Sequence, residues 1–376
     1  MSALRRAALL ALLFLGVGAE SARAQAVVLR AARLVDGRGG PPLPGLIDLH
    51  THLTGTDEAT WEEELVTTTP GQAALYGARN AHRMLLAGFT TVRDMGPTWP
   101  YVDVDLRDAV EKGVVPGPRM FVAGNYVSAT GGAGDARQFS IYVDVPLVRN
   151  LADGPEEVRK AVRTNHKNGA DFTKILVTGA VLSKGIPPGA QQYSDGEIRT
   201  AVEETSRWGR AVAAHAHGAA GIKAAIRAGV RTVDHGSYLD DEAVAMLRAA
   251  PGTFYVPTLA TNLFIESGFG DQPASQVERS RAIGAVKEEG FRRALAAGLP
   301  IGFGTDAGVI PHGLNARELA VRVGLGESPM AALVSATALN AEILGWSDRI
   351  GTLEAGKLAD VIAVAGNPLT DVTEME

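Results

Sequence analysis

The sequence predicts an α/β protein, a (β/α)8 TIM barrel with a reduced β-sandwich appended by its N- and C-terminal segments. Three observations carry that reading. From residue 45 onward, short apolar runs of strand type alternate with helical stretches through eight repeats. A length of 376 residues holds one barrel of about 250 residues with additions. Metal-ligating residue types recur at the C-terminal ends of the apolar runs, where a barrel gathers its active site. A doubly wound open sheet is the competing arrangement.

The N-terminus stands apart from this alternation. Arg5-Arg6 precede an apolar run from Ala7 to Ala19, and Ala22-Arg23-Ala24 is a small-x-small cleavage pattern. Residues 1–24 therefore read as a secretory signal peptide, with Ala26 as a second cut position. The run is short of the ~20 residues a spanning helix needs. An exported protein, periplasmic or secreted and free of the membrane after cleavage, is expected. The chain has no cysteine, so its stability must come from a large core and any bound metal. A net charge of −6 gives no sign of a basic surface for nucleic acid.

Ala26 to Val35 reads as apolar β-structure, and a Pro-rich junction, 41–45, leads into Leu46-Ile47-Asp48-Leu49-His50-Thr51-His52. Helices are expected at Pro70–Ala87, Val104–Lys112 and Gly154–Asn168. They alternate with strands at Phe89–Asp94, Arg119–Ala123 and Phe172–Val177. Ser194 and Glu197 form a capping box for the next helix. Strands follow at Ala211–His215, Thr232–His235, Phe254–Thr258 and Ile301–Asp306, separated by helices at Ala219–Ala228, Asp240–Ala250 and Ser275–Ala297. Helices at Ala316–Val323 and Pro329–Ile343 close the series. Residues 351–364 read as β-structure outside the barrel, pairing with the N-terminal strands. The expected division is thus a barrel over 45–344 and a sandwich remnant from 25–44 and 345–376. Exposed strand edges on that remnant favour homo-oligomer formation.

Side chains at i and i+2 of a strand share a face, so His50 and His52 project together. Alone, the pair suits either a divalent metal such as zinc or a solvated turn. Lys174, His215, His235 and Asp306 fall at the ends of later strands and complete a convergent set. Lys174 alternates with Phe172 and Leu176 and faces inward. An unpaired buried ammonium is costly, so Lys174 is either neutralised by a nearby Asp or carboxylated into an anionic metal bridge. His217 shares a side with His215. His312, in Pro311-His312-Gly313, lies near the barrel mouth. His82 and His166 read as surface residues of helices.

Gly45-Leu46-Ile47-Asp48-Leu49-His50-Thr51-His52, Thr90-Thr91-Val92-Arg93-Asp94, Ala214-His215-Ala216-His217-Gly218, Asp234-His235-Gly236 and Gly304-Thr305-Asp306-Ala307-Gly308 together resemble the amidohydrolase superfamily. The resemblance is to its imidazolonepropionase-like and Xaa-Pro-dipeptidase-like branch. It is carried further by Gly117-Pro118-Arg119, by Lys174 in its apolar strand and by the segment Gly351 to Asp360. It implies a two-metal hydrolase, with two divalent ions, zinc by expectation. His50, His52 and Asp306 would hold one ion and His215 and His235 the other, with carboxylated Lys174 bridging. A hydroxide between the ions would be the nucleophile and Asp306 the catalytic proton carrier. From their own positions, His217 is assigned to substrate contact in preference to a ligand role, and His312 to substrate contact at the mouth of the cavity. The implied reaction cleaves amide or peptide bonds of small substrates such as dipeptides and N-acyl amino acids. A cyclic amide or lactone hydrolase, or a poorly active relative with a truncated sandwich, is the alternative.

The sequence departs from that pattern twice. Relatives carry Gly-Gly-His-Gly-Asp where this chain has Gly131-Gly132-Ala133-Gly134-Asp135, which removes a polar group from substrate recognition; Arg137 and Lys184 are the nearby cations. The junction at Pro44-Gly45 also lacks several sandwich strands, and the segment after Val364 is short.

Overall fold

The computed structural model describes residues 43–56, 61–136, 139–140, 142–143, 151–184, 186–268 and 273–376. The expected signal peptide, the strands at 26–35 and Arg137 lie outside these residues.

Parallel strands make up the centre of the fold. Strand β1 is Leu43–Pro44, β2 Leu46–Thr51, β3 Phe89–Asp94 and β4 Arg119–Val122. Strands β5 to β8 are Thr173–Leu176, Val212–Ala216, Thr232–His235 and Phe254–Val256. The ladders run β2-β3-β4 and β5-β6-β7-β8, all parallel within each set. Between the sets, Asp171 N–H donates to the Val122 carbonyl at 2.7 Å, and Val127 forms a parallel bridge with Ile175.

The eighth position is filled by residues 301–307, which form bridges rather than a continuous ladder. Ile301 bridges Tyr255 on one side and Ala307 bridges Thr51 on the other. Leu49 N–H donates to the Phe303 carbonyl at 3.1 Å and Asp306 N–H to the His50 carbonyl at 2.7 Å. The ring is therefore closed, as a TIM-barrel-like α/β fold requires. The strands are buried on both faces, which is why they read as near-continuous apolar runs.

The helices match the sequence reading to within a residue or two at most ends. Thr69 caps the helix Pro70–Leu86 with Gln72 returning the bond, and Ser194 and Glu197 do the same for Asp195–Ser206. Short helices at Trp61–Thr67 and Thr261–Glu266 were not expected. The expected Pro329–Ile343 helix is interrupted: an α segment, Pro329–Val334, passes through a π turn, Ser335–Leu339, into Asn340–Leu344. Directly after that π turn, Asn340 reaches into the barrel. Its amide donates to the Ile47 and Phe303 carbonyls at 2.7 and 2.8 Å, and its oxygen accepts from Phe303 N–H at 3.0 Å. It thereby ties the first strand to the eighth. Asn340→Ala is expected to lower unfolding free energy by about 2–4 kcal/mol, because three buried hydrogen bonds to backbone are lost, with the Phe303 carbonyl keeping a second donor, Leu49 N–H. Denaturant titration measures this, and a change below about 0.5 kcal/mol would refute the assignment.

The appended sheet is reduced to one antiparallel pair among the described residues, β1 against β9 (Val361–Ile362), in register Leu43 with Ile362. The rest of 351–364, expected as β-structure, is irregular. The pair is tied to the barrel through Gly45 N–H, which donates to the Asp360 carbonyl at 2.8 Å. Gly45 has to be glycine, because a Cβ there would lie 2.0 Å from Thr90 Oγ1. His166 corrects an expectation. It is buried, with Nδ1 3.2 Å from the Ala170 carbonyl and Nε2 3.2 Å from Thr173 Oγ1, so it anchors β5 rather than facing solvent. His82 is exposed, as expected.

Candidate metal centre

Four strand ends and the eighth segment open on one cavity of about 230 Å³. His50, His52, Lys174, His215, His217, His235 and Asp306 all line it, so the structure brings together seven of the eight residues singled out. His312 is not among the described lining residues. Its Nε2 sits 3.1 Å from the His52 carbonyl, behind the ligand strand.

The potential ligands fall into two groups. His50, His52 and Asp306 place ligand atoms within 4.8 Å of one another, and so do His215, His217 and His235. Asp306 Oδ1 lies 3.4 Å from His52 Nε2 and 3.5 Å from His50 Nε2. Strand geometry supplies this convergence for His50 and His52 at the end of β2, and for His215 and His217 at the end of β6. For the other two, the backbone is strained: His235 has φ 70° and Asp306 φ 64°. Left-handed backbone at non-glycine residues is held by its surroundings and clusters at functional sites.

Most of the imidazoles have one nitrogen anchored to the protein. His52 Nδ1 is 2.8 Å from the Gly96 carbonyl, and His215 Nε2 is 3.0 Å from the Gly179 carbonyl. His217 Nδ1 is 2.8 Å from Ser237 Oγ, and His235 Nδ1 is 2.8 Å from Thr258 Oγ1. His215, His217 and His235 keep the second nitrogen for an ion, the arrangement metal-binding histidines show, while His52 Nε2 faces Asp306 Oδ1. His50 Nδ1 is buried without a hydrogen-bond partner.

The electrostatics favour neutral imidazoles. Burial, with the charge of Lys174 beside it, pushes His50 well below the usual histidine range and His215 down to about 3. Burial and the neighbouring His215 do the same to His217 and His235. His52 moves the other way: burial opposes its charge, but the hydrogen bond and charge of Asp306 outweigh that. Neutral imidazole is the form that binds a metal. A donor set of histidines and carboxylate with unshared nitrogens fits a divalent ion such as zinc.

Lys174 is 2% exposed, and its Nζ lies 3.5 Å from Asp234 Oδ2. Asp234 also faces the Arg93 guanidinium at 3.4 Å and His50 Nδ1 at 3.6 Å. Arg93 is fixed by donating to the Leu49 carbonyl at 2.7 Å. The unmodified amine therefore has the carboxylate neighbour that the sequence left open, and burial lowers its pKa. Asp234 and Arg93 belong to motifs at strand ends, but the sequence carries no separate signal for their inward pairing. Asp48 likewise carries no sequence signal of its role. It accepts from His50 N–H at 3.0 Å, Thr305 N–H at 3.1 Å, Thr305 Oγ1 at 2.6 Å and Asn315 Nδ2 at 2.7 Å, joining the strand of His50 to that of Asp306.

The amidohydrolase family model matches residues 43–376. The chain belongs to the amidohydrolase family. It is a hydrolase acting on carbon–nitrogen bonds. Ochratoxinase from Aspergillus niger is 33% identical over 351 residues, covering 88% of this chain and 71% of that protein. The crystal structure of a Xaa-Pro dipeptidase with bound methionine in the active site superposes with a TM-score of 0.83 at 37% identity, over 89% of this chain and 83% of that one. A prolidase complexed with N-methylphosphonate-L-proline gives a TM-score of 0.81 at 33% identity, over 93% and 86%.

Proposed function

We propose that this amidohydrolase cleaves the amide or peptide bond of small substrates, such as dipeptides and N-acyl amino acids, at a centre of two divalent ions. The observation that carries the reading is the pair of ligand groups on one cavity, each within 4.8 Å. His50, His52 and Asp306 would hold one ion and His215 and His235 the other, with carboxylated Lys174 shared between them. When bound, such ions supply Lewis acidity that lowers the pKa of water and polarises a carbonyl.

The protein's own residues do the rest. Asp306 takes the proton from the attacking water as the carbon–oxygen bond forms. It returns that proton to the leaving nitrogen as the carbon–nitrogen bond breaks. His217, stacked 4.8 Å from the His235 ring, is placed to contact the substrate, although its position beside His215 also allows ligation. Met95, Leu176, Val181, Leu182, Ile265 and Ile283 make much of the cavity wall apolar, which supports a substrate with an apolar group. Similarity to a Xaa-Pro dipeptidase and an ochratoxinase supports amide substrates. The sequence of residues 1–24 supports export.

The test is metal analysis of the purified protein together with a hydrolysis screen of dipeptides, N-acyl amino acids, cyclic amides and lactones. Close to two ions per chain and cleavage of linear amides are expected. Protein that takes up no metal and hydrolyses none of these would sink the reading; turnover confined to lactones or cyclic amides would move it to that class.

A further inference from the structure

Lys287 is a buried cation that no step above uses. It reaches the cavity wall from the helix Ala274–Ala296 and is 3% exposed. An ammonium has three hydrogens to donate. Here the Thr258 carbonyl lies at 2.6 Å, Thr261 Oγ1 at 2.9 Å and Asn262 Oδ1 at 3.4 Å. All three donors are committed to one turn, which leaves none for a substrate carboxylate. Glu318 grips the same turn from the other side, and burial pushes its carboxyl up to about 7. Its Oε2 accepts from Ala260 N–H at 2.7 Å, and the side chain is fully buried.

The turn that these two groups hold carries Thr258. This β-branched residue has φ 50°, a conformation such residues rarely adopt. Its hydroxyl is the partner of His235 Nδ1, and His235 is itself strained at φ 70°. Two strained residues in contact persist only where their surroundings over-determine them. A carbonyl held by an ammonium and an amide held by a carboxylate do that at modest cost in chain length.

We propose that Lys287 and Glu318 are positioning residues for the metal centre, clamping the 258–262 turn so that Thr258 fixes the ring orientation of His235. The inference rests on the two-metal reading above. His235 then keeps Nε2 as its ion-binding nitrogen without having to reorganise on metal uptake. Charged groups that grip backbone hold it more firmly than neutral ones, which explains a lysine where the cavity is otherwise mostly apolar.

The experiment is chelator competition with zinc on the whole protein, with the visible spectrum of the cobalt-loaded form as a second readout. Lys287→Met is expected to weaken one equivalent of metal by roughly 10–100-fold, the range seen on losing an outer-shell partner, and to shift the cobalt band. Lys287→Met/Glu318→Gln should not restore affinity; restoration would mean that Glu318 left unpaired caused the defect, and would overturn the clamp. Thr258→Ala removes only the last link and should weaken the same equivalent, so the idea stays testable where Lys287→Met does not fold. Wild-type affinity and spectrum in both Lys287→Met and Thr258→Ala would overturn it. So would a KM rise confined to substrates with a free carboxylate, with metal binding unchanged, because Lys287 would then serve the substrate. A wild-type protein that binds no metal would instead sink the two-metal reading.

Discussion

Asp306→Asn is expected to lower kcat by roughly 10²–10⁴-fold at saturating metal, the contribution of a positioned proton carrier. The change keeps the shape of the side chain and one oxygen toward His50 and His52, 3.5 and 3.4 Å away. It removes the capacity to accept a proton. Asp306 is held below the usual carboxylate range: burial raises it, but the hydrogen bond and charge of His52 and the charges of Lys174 and Lys287 prevail. Steady-state kinetics across a metal titration separates the two roles. Full recovery at high metal would confine Asp306 to ligation, and a kcat within threefold of wild type throughout would remove it from the chemistry.

Lys174→Ala should have the larger effect on metal content. A carboxylated Lys174 is an anion shared by two ions, so its loss should exceed the roughly 10–100-fold cost of losing an outer-shell partner. Metal analysis after gel filtration should show at most one ion per chain. Chemical rescue distinguishes the two states that the side chain allows. A short carboxylate such as propionate should restore metal and turnover if the missing group is an anionic bridge. A short amine should restore them if the missing group is the ammonium beside Asp234, 3.5 Å away. Asp234 keeps Arg93 as a partner in either case, so the variant does not strand a buried charge. Metal content and turnover unchanged by Lys174→Ala would remove the bridge from the proposal.

Much of this was legible in the sequence because barrels write their active sites at strand ends. Buried parallel strands read as apolar runs, and period-two alternation put His50 with His52 and His215 with His217 on common faces. The eighth strand was legible as a run, but its single bridges to Tyr255 and Thr51 were not, since register depends on the neighbours. His166 was misjudged because a histidine in an otherwise polar helix carries no mark of the cavity it fills behind Thr173. Lys287 and Glu318 were invisible for a related reason: charged residues on helices are usually solvated, and only the turn they grip shows otherwise. The π turn before Asn340 has no local sequence signature, because it follows from packing against the barrel base.

The bond from Thr305 to Asp48 joins residues 257 apart, whereas the one from His217 to Ser237 joins residues 20 apart. The two halves of the centre therefore differ in when they can exist. Chain-closure entropy rises with loop length and is met before the contact rewards it. The His215 half is a local product of two adjacent βα units and can form while the chain is still being made. The His50 half is the last to appear, since it needs residues 301–307 to slot between the first and seventh strands of the barrel. Early metal capture would thus fall to the His215 side, and completion of the pair would report that the barrel has closed.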